Sequence, residues 1–391
     1  MIEQRIAGSS TLALLQKVRE LKASGADLVS FAAGEADFDT PEVVTKELLA
    51  SVERGNTRYV ATQGLPPLRE VVAKDYNNRL GAEWVKPENV LVAAGAKQGI
   101  YLAMCGILTP GANDEVLIPK PYWVSYPGIT KAAGGRAVYV ETQKETAYFP
   151  TVAALEAAKS DKSKILIMSS PCNPTGTMIS KEHLSEILKW CVANKIVLIY
   201  DEIYERLALK DTPHTSALSV CTQEESEFVI AVNAVSKSLA MTGWRMGYVL
   251  THKDNIAALT ALQSQMLTCL PGFIQDAATA GLNAVDELFP PILEKFKKRL
   301  VLLEKLLSEV KGISFAPPQG AFYAFLNVEA LMKSKGIAED KDLCSVLLDD
   351  AGIVVNPGSS FGMPGHVRMS FATSEEEITK GVERLKKYAN S

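Results

Sequence analysis

Apolar residues fall along this chain in two rhythms. One is short and unbroken: Val90-Leu91-Val92-Ala93-Ala94, Glu115-Val116-Leu117-Ile118, Lys164 to Met168, Val197 to Tyr200, Phe228 to Val232, and Met246 to Leu250. Runs of this length without polar alternation read as strands covered on both faces. Between them lie stretches of helical period. Thr40-Pro41-Glu42, followed by an apolar-periodic stretch to Gly55, offers a cap, a proline at the first helical position and a terminating glycine. Such alternation predicts an α/β fold, a mostly parallel central sheet with helices on both faces. After about residue 286 the rhythm changes. A long lysine-rich helix (Ile292 to Val310) precedes a strand from Gly320 to Phe325 and a helix from Leu343 to Asp350. Strands Ile353-Val354-Val355 and Val367 to Ser370 follow, then a closing helix. That second pattern is an α+β unit.

The 391 residues exceed the usual size of a single core, so two domains are expected. With 47% hydrophobic residues the chain can bury a sizeable core, and a net charge of −4 argues against nucleic acid or anionic membranes as partners. Met1-Ile2-Glu3-Gln4-Arg5 lacks the apolar core of a signal peptide, and no apolar run is long enough to span a bilayer. Six scattered cysteines without metal-ligand spacing read as reduced thiols, and the expected location is cytoplasmic. No metal site is expected.

Chemistry concentrates in three places. Ser236-Lys237 sits between a strand and the turn Met241-Thr242-Gly243-Trp244-Arg245. A lysine amine condenses with an aldehyde, and an arginine fork suits phosphate. Pyridoxal 5'-phosphate (PLP) carries both groups. Asp201 ends a buried strand, where open α/β sheets place ligands, although an Asp there also serves as a helix cap. Asn173 lies in Pro171-Cys172-Asn173-Pro174-Thr175-Gly176, a rigid turn that aims a side-chain amide. With Lys237 on the aldehyde carbon, Asp201 would pair with the pyridine nitrogen and Arg245 with the phosphate. Asn173 and Tyr204 would donate to the ring phenolate.

This ordered set resembles the class I and II aminotransferases of PLP fold type I. The resemblance runs from Gly34-Glu35-Ala36-Asp37-Phe38 to Arg368. It implies a large PLP-binding domain over 38–285 and a discontinuous small domain made of 1–37 and 286–391. It also implies a homodimer with shared active sites. Gly95-Ala96-Lys97-Gln98, opening a helix after a strand, is similar to the family's phosphate cup. Ser236 would add a hydroxyl, and Tyr59 resembles the tyrosine that reaches the phosphate from a neighbouring subunit. Trp123, which by itself reads equally well as a core residue, lies where the family stacks an aromatic ring on the cofactor. Arg368, on an otherwise apolar strand, needs a bidentate partner. The resemblance assigns it the substrate α-carboxylate, with the Gly34 N–H beside it; a structural salt bridge is the other reading.

Substrate choice turns on a second cation. No Lys or Arg occurs between Asp254 and Glu294, where some aspartate aminotransferases hold a distal arginine. Lys97 resembles the substrate-reading lysine of the bacterial subgroup with a Gly-x-Lys-Gln motif, acting beside Thr11; a phosphate counter-charge or a solvated residue is its other reading. The expected reaction moves the amino group of L-aspartate to 2-oxoglutarate, giving oxaloacetate and L-glutamate by ping-pong kinetics. Glutamate/aspartate–prephenate transamination, or another PLP reaction such as β-elimination by a lyase, is the alternative. Two positions depart from the family: Ala234 replaces a phosphate-binding serine of many relatives, and Tyr126 stands where some hold a histidine behind the pyridine-pairing aspartate.

Overall fold

The computed structural model describes residue 8 and residues 10–391. Seven strands form its central sheet, in the order Val90–Ala93, Gly247–Leu250, Val229–Ala234, Val197–Asp201, Ser163–Ser169, Glu115–Pro119 and Arg136–Val140. Gly247–Leu250 runs antiparallel to both its neighbours, and the remaining pairs are parallel. Four of the seven are buried at every residue and two more at all but one, Val197 and Lys164 being the exceptions, which is why they read as nearly unbroken apolar runs. Arg136–Val140 escaped the reading because it is an edge strand with only Val140 buried, and its short alternation carries little signal.

A second sheet of four antiparallel strands has the order Asn356–Pro357, His366–Ser370, Tyr323–Asn327 and Ser314–Phe315. Val29–Ser30 pairs in parallel with Ile353–Val354, so the segment entering the Gly34 turn is tied to the C-terminal part of the chain. The strand expected from Gly320 starts three residues later. Gly320 is instead pressed against Pro171 and the Leu207 carbonyl, and Ala321 adopts φ 56°.

Two helical expectations are corrected. The helix expected to begin at Ile292 spans Gly272–Leu307 and carries Pro290 and Pro291 inside it. One buried stripe, through Ala278, Leu282, Val285, Phe289, Phe296, Leu300, Leu303 and Leu307, runs past the prolines. Burial of that stripe outweighs the hydrogen bonds the prolines remove. The change of rhythm near residue 286 therefore falls within one continuous helix. The helix after Thr40 spans Glu42–Glu53 as expected, but Thr40 does not cap it. Its hydroxyl donates to the Ala240 carbonyl (2.8 Å) and accepts from Trp244 Nε1 (3.2 Å), fastening the chain after Gly34 to the turn that follows Lys237. Among the described residues no helix is long and apolar enough to cross a membrane.

Candidate active site

Five chain segments leave the carboxyl ends of sheet strands and meet in one crevice, where parallel sheets gather ligand groups. Val197–Asp201 delivers Asp201, Val229–Ala234 leads to Ser236 and Lys237, and Val90–Ala93 leads to Gly95. Glu115–Pro119 leads to Trp123, and Ser163–Ser169 leads to Asn173. The crevice has a volume of about 600 Å³, and its walls include Lys97, Trp123, Asn173, Asp201, Tyr204 and Lys237, as well as Gly34, Ala96, Ser236, Arg245 and Arg368.

Lys237 lies on the short helix Val235–Ser238, its ammonium 5.9 Å from the centres of both the Tyr204 and Phe322 rings. Burial disfavours its charged form and brings its pKa down to about 8. Its Nζ donates to the Gly34 carbonyl. Asp201 is buried, and desolvation pushes its pKa up to about 6. Two donors hold the carboxylate: the Ile203 N–H at 3.2 Å and the Tyr126 hydroxyl at 3.0 Å. Tyr126 thus supplies the hydrogen bond behind the aspartate. Its ring also meets Trp123 edge-on at 5.4 Å.

One end of the crevice is built largely from backbone. Helix Ala96–Ile107 starts at Gly95, which has φ 82°. A Cβ on Gly95 would sit 2.4 Å from an Arg245 guanidinium nitrogen, so glycine is required both for the turn and for the approach of the arginine. Arg245, itself at φ 55°, donates to the carbonyls of Thr242 (2.8 Å) and Ala94 (3.4 Å). Free N–H groups at the helix start, a hydroxyl at Ser236 and the arginine together form an anion cradle. Lys97, one residue into that helix, lies over the Trp123 ring at 4.9 Å, and partial burial lowers its pKa.

Arg368 pairs in register with Phe325 and Asn356 and is fully buried. Its guanidinium donates to Asn173 Oδ1 (3.0 Å) and the Ala32 carbonyl (2.9 Å), and it lies 4.4 Å from the Tyr323 ring centre and 5.0 Å from that of Phe361. No carboxylate of this chain pairs with it among the described residues, and its Nε is buried without a hydrogen-bond partner. A buried cation with an orphaned donor facing a cavity is prepared for an external anion. Because Asn173 Oδ1 is taken by Arg368, the amide N–H groups of Asn173 remain to serve the crevice.

Tyr59, expected to serve a neighbouring subunit's phosphate site, does not line this chain's own crevice and is 87% exposed. Thr11 falls within helix Ser10–Ala23, and its side chain lies outside the described residues. The structure adds Tyr323, whose hydroxyl lies 2.7 Å from that of Tyr204. Nothing in the run Phe322-Tyr323-Ala324-Phe325 sets its polar tip apart from strand packing, and only the fold reveals it. Gln16 and Arg19 also line the opening.

A half-buried lysine of lowered proton affinity, a buried aspartate, an anion cradle and a buried arginine without a carboxylate partner are the groups that a PLP-dependent amine-transferring enzyme requires. These groups fit the cofactor at each of its handles. Residues 26–385 match the family described as aminotransferase class I and II, and the chain belongs to it. The aspartate aminotransferase of Bacillus subtilis is 37% identical over 380 residues, covering 97% of this chain and 96% of that protein. The aspartate/prephenate aminotransferase of Thermus thermophilus is 37% identical over 385 residues, covering 98% and 96%. The solved structure of aspartate aminotransferase from Thermus thermophilus with maleate superimposes with a TM-score of 0.91 at 35% identity, covering 99% of this chain and 100% of that one. This protein is an aminotransferase whose cofactor is PLP.

Proposed function

We propose that this enzyme transfers the amino group of L-aspartate to 2-oxoglutarate, yielding oxaloacetate and L-glutamate in two half-reactions at one site. The observation that carries the reading is the pair of cations in one crevice. Arg368 is buried with an orphaned donor, and Lys97 is held at the wall by an aromatic ring. With Lys237 and Arg245 given to the cofactor, these two cations match a substrate with two carboxylates. The relative solved with maleate, a four-carbon dicarboxylate, supports the same class of substrate.

When bound, PLP supplies an aldehyde for the amine and a ring that stabilises negative charge developing at the substrate α-carbon. Lys237 would hold it by its Nζ. As a free amine, that Nζ would take and return the α-proton, a task suited to an amine whose pKa burial brings down to about 8. Asp201, oriented by Tyr126 and the Ile203 N–H, presents its carboxylate to the ring nitrogen. Gly95, Ala96, Ser236 and Arg245 would take the phosphate, Asn173 and Tyr204 would donate to the ring oxygen, and the Trp123 indole would stack on the ring. Arg368 takes the α-carboxylate beside Gly34, and Lys97 with Thr11 reads the distal one, in the manner of a Gly-x-Lys-Gln subgroup.

We also read the enzyme as a homodimer. Tyr59 is too exposed to serve its own crevice and would complete the phosphate site of a second copy. The division into 38–285 and 1–37 with 286–391 fits the strand pairing of Val29–Ser30 with Ile353–Val354. The name of the Thermus thermophilus relative favours prephenate as an additional acceptor.

The test is a set of single half-reactions, followed by the absorbance of the bound cofactor. Aspartate and glutamate should convert it to its aminated form, and Lys97→Ala should slow both more than it slows alanine. Equal loss with all three amino acids would refute the side-chain-reading role.

A further inference from the structure

Tyr204 and Tyr323 touch through their hydroxyls at 2.7 Å, both rings buried and edge-on at 5.7 Å. A phenol has one proton to give. Whichever ring donates across this contact decides what Tyr204 has left for the crevice. If Tyr204 donates to Tyr323, its proton is spent there. If Tyr323 donates, Tyr204 keeps its own proton and becomes a stronger donor, since a hydroxyl that accepts a hydrogen bond is polarised toward giving one.

The surroundings favour the second arrangement. The Arg368 guanidinium lies 4.4 Å from the Tyr323 ring centre, and a neighbouring cation makes a phenol more acidic. Burial raises the proton affinity of both phenols. Arg368 opposes that rise at both phenols, but at Tyr323 it is the next influence after burial, whereas at Tyr204 it ranks behind Tyr323, which adds to the rise. Tyr323 is therefore the better donor. Its hydroxyl has close neighbours on the other side too, since a Cβ on Gly34 would come within 2.9 Å of it.

We propose that Tyr323 is a positioning residue that donates its hydroxyl proton to Tyr204 Oη, so that Tyr204 directs its own proton to the ring oxygen of the bound cofactor. The relay begins at Arg368, which polarises Tyr323, and ends at the cofactor oxygen. It rests on the reading of Tyr204 as a donor to that oxygen. Its consequence is electronic. A stronger donor draws charge from the ring oxygen and lowers the pH at which the lysine–cofactor nitrogen loses its proton.

The test is a pH titration of the visible absorbance of the holoenzyme, without substrate. Tyr323→Phe keeps the ring against Arg368 and removes only the hydroxyl. The midpoint should rise by roughly half to one pH unit. Tyr204→Phe should raise it further, and Tyr323→Phe should add nothing in that background, because the two hydroxyls act in series. Site-specific replacement of Tyr323 by 3-fluorotyrosine, a more acidic phenol of nearly the same size, should move the midpoint down. It also provides a second measurement should the phenylalanine variant fold poorly. A midpoint moved by Tyr204→Phe but unmoved or lowered by Tyr323→Phe overturns the relay alone. A midpoint unmoved by Tyr204→Phe overturns the underlying reading of Tyr204, and the relay with it.

Discussion

Replacing Asp201 by Asn should stabilise the cofactor-free protein while disabling the enzyme. Asp201 is buried, and burial raises its pKa from 3.8 to about 6. The native state therefore prefers the neutral acid. Below pH 3.8 the carboxyl is protonated folded or unfolded, and its titration costs nothing. Between 3.8 and 6 the unfolded chain ionises while the native group resists, and the cost grows. Above pH 6 it is complete, about 3 kcal/mol at 1.36 kcal/mol per unit of pKa. Asn preserves the shape and carries no charge. Its Oδ1 can keep the Ile203 N–H and its amide can remain beside the Tyr126 hydroxyl. Urea unfolding of the cofactor-free protein, wild type against Asp201→Asn, at intervals from pH 4 to pH 8 reads the difference directly. The variant should gain about 3 kcal/mol at pH 8 and almost nothing at pH 4. The same substitution removes a charged partner of the cofactor ring, so turnover of the loaded enzyme should fall by about 100-fold or more. A stability gap that is flat across this pH range, or that favours the wild type at pH 8, refutes the claim that Asp201 is held as a costly buried charge.

Lys237→Met tests the complementary cost. The pKa of Lys237 is lowered from 10.5 to about 8, so its charged form burdens the native state below pH 8 and the burden fades as the pH rises toward 10.5. In the cofactor-free protein the variant should be more stable by about 3 kcal/mol at pH 7 and no more stable above about pH 11, as read by denaturant unfolding. Arg368→Lys loses the bidentate fork, and kcat/KM for aspartate should fall by about 30-fold or more, measured by steady-state transamination. Gly95→Ala meets both a positive φ and the Arg245 guanidinium at 2.4 Å, so cofactor affinity should weaken about tenfold or more in an absorbance titration of the cofactor-free protein. Substrate analogues that lack phosphate contacts, bound by fully loaded enzyme, should be affected far less.

The chemistry of this protein is legible in its sequence to an unusual depth because the reactive groups lie in short, continuous motifs. Strand, turn and helix fix the placement of Gly95, Asn173, Asp201 and Lys237 locally, so a strand ending in a carboxylate or a turn of two prolines declares its use. The unbroken apolar runs also declared the sheet, since strands buried on both faces need no alternation. Arg368 was conspicuous for the opposite reason, a full charge among apolar neighbours. What only the tertiary structure decided are the pairings between distant segments. Thr40 binds the Ala240 carbonyl rather than its own helix, and Pro290 and Pro291 are absorbed into a helix because a buried stripe continues beyond them. Tyr126 reaches Asp201 across the sheet, and Tyr323 meets Tyr204 and lies against Arg368. A sequence records which groups each residue carries and the local geometry of its neighbours. Hydrogen bonds and charges act over a few ångströms whatever the separation along the chain, so their partners exist only once the chain has folded.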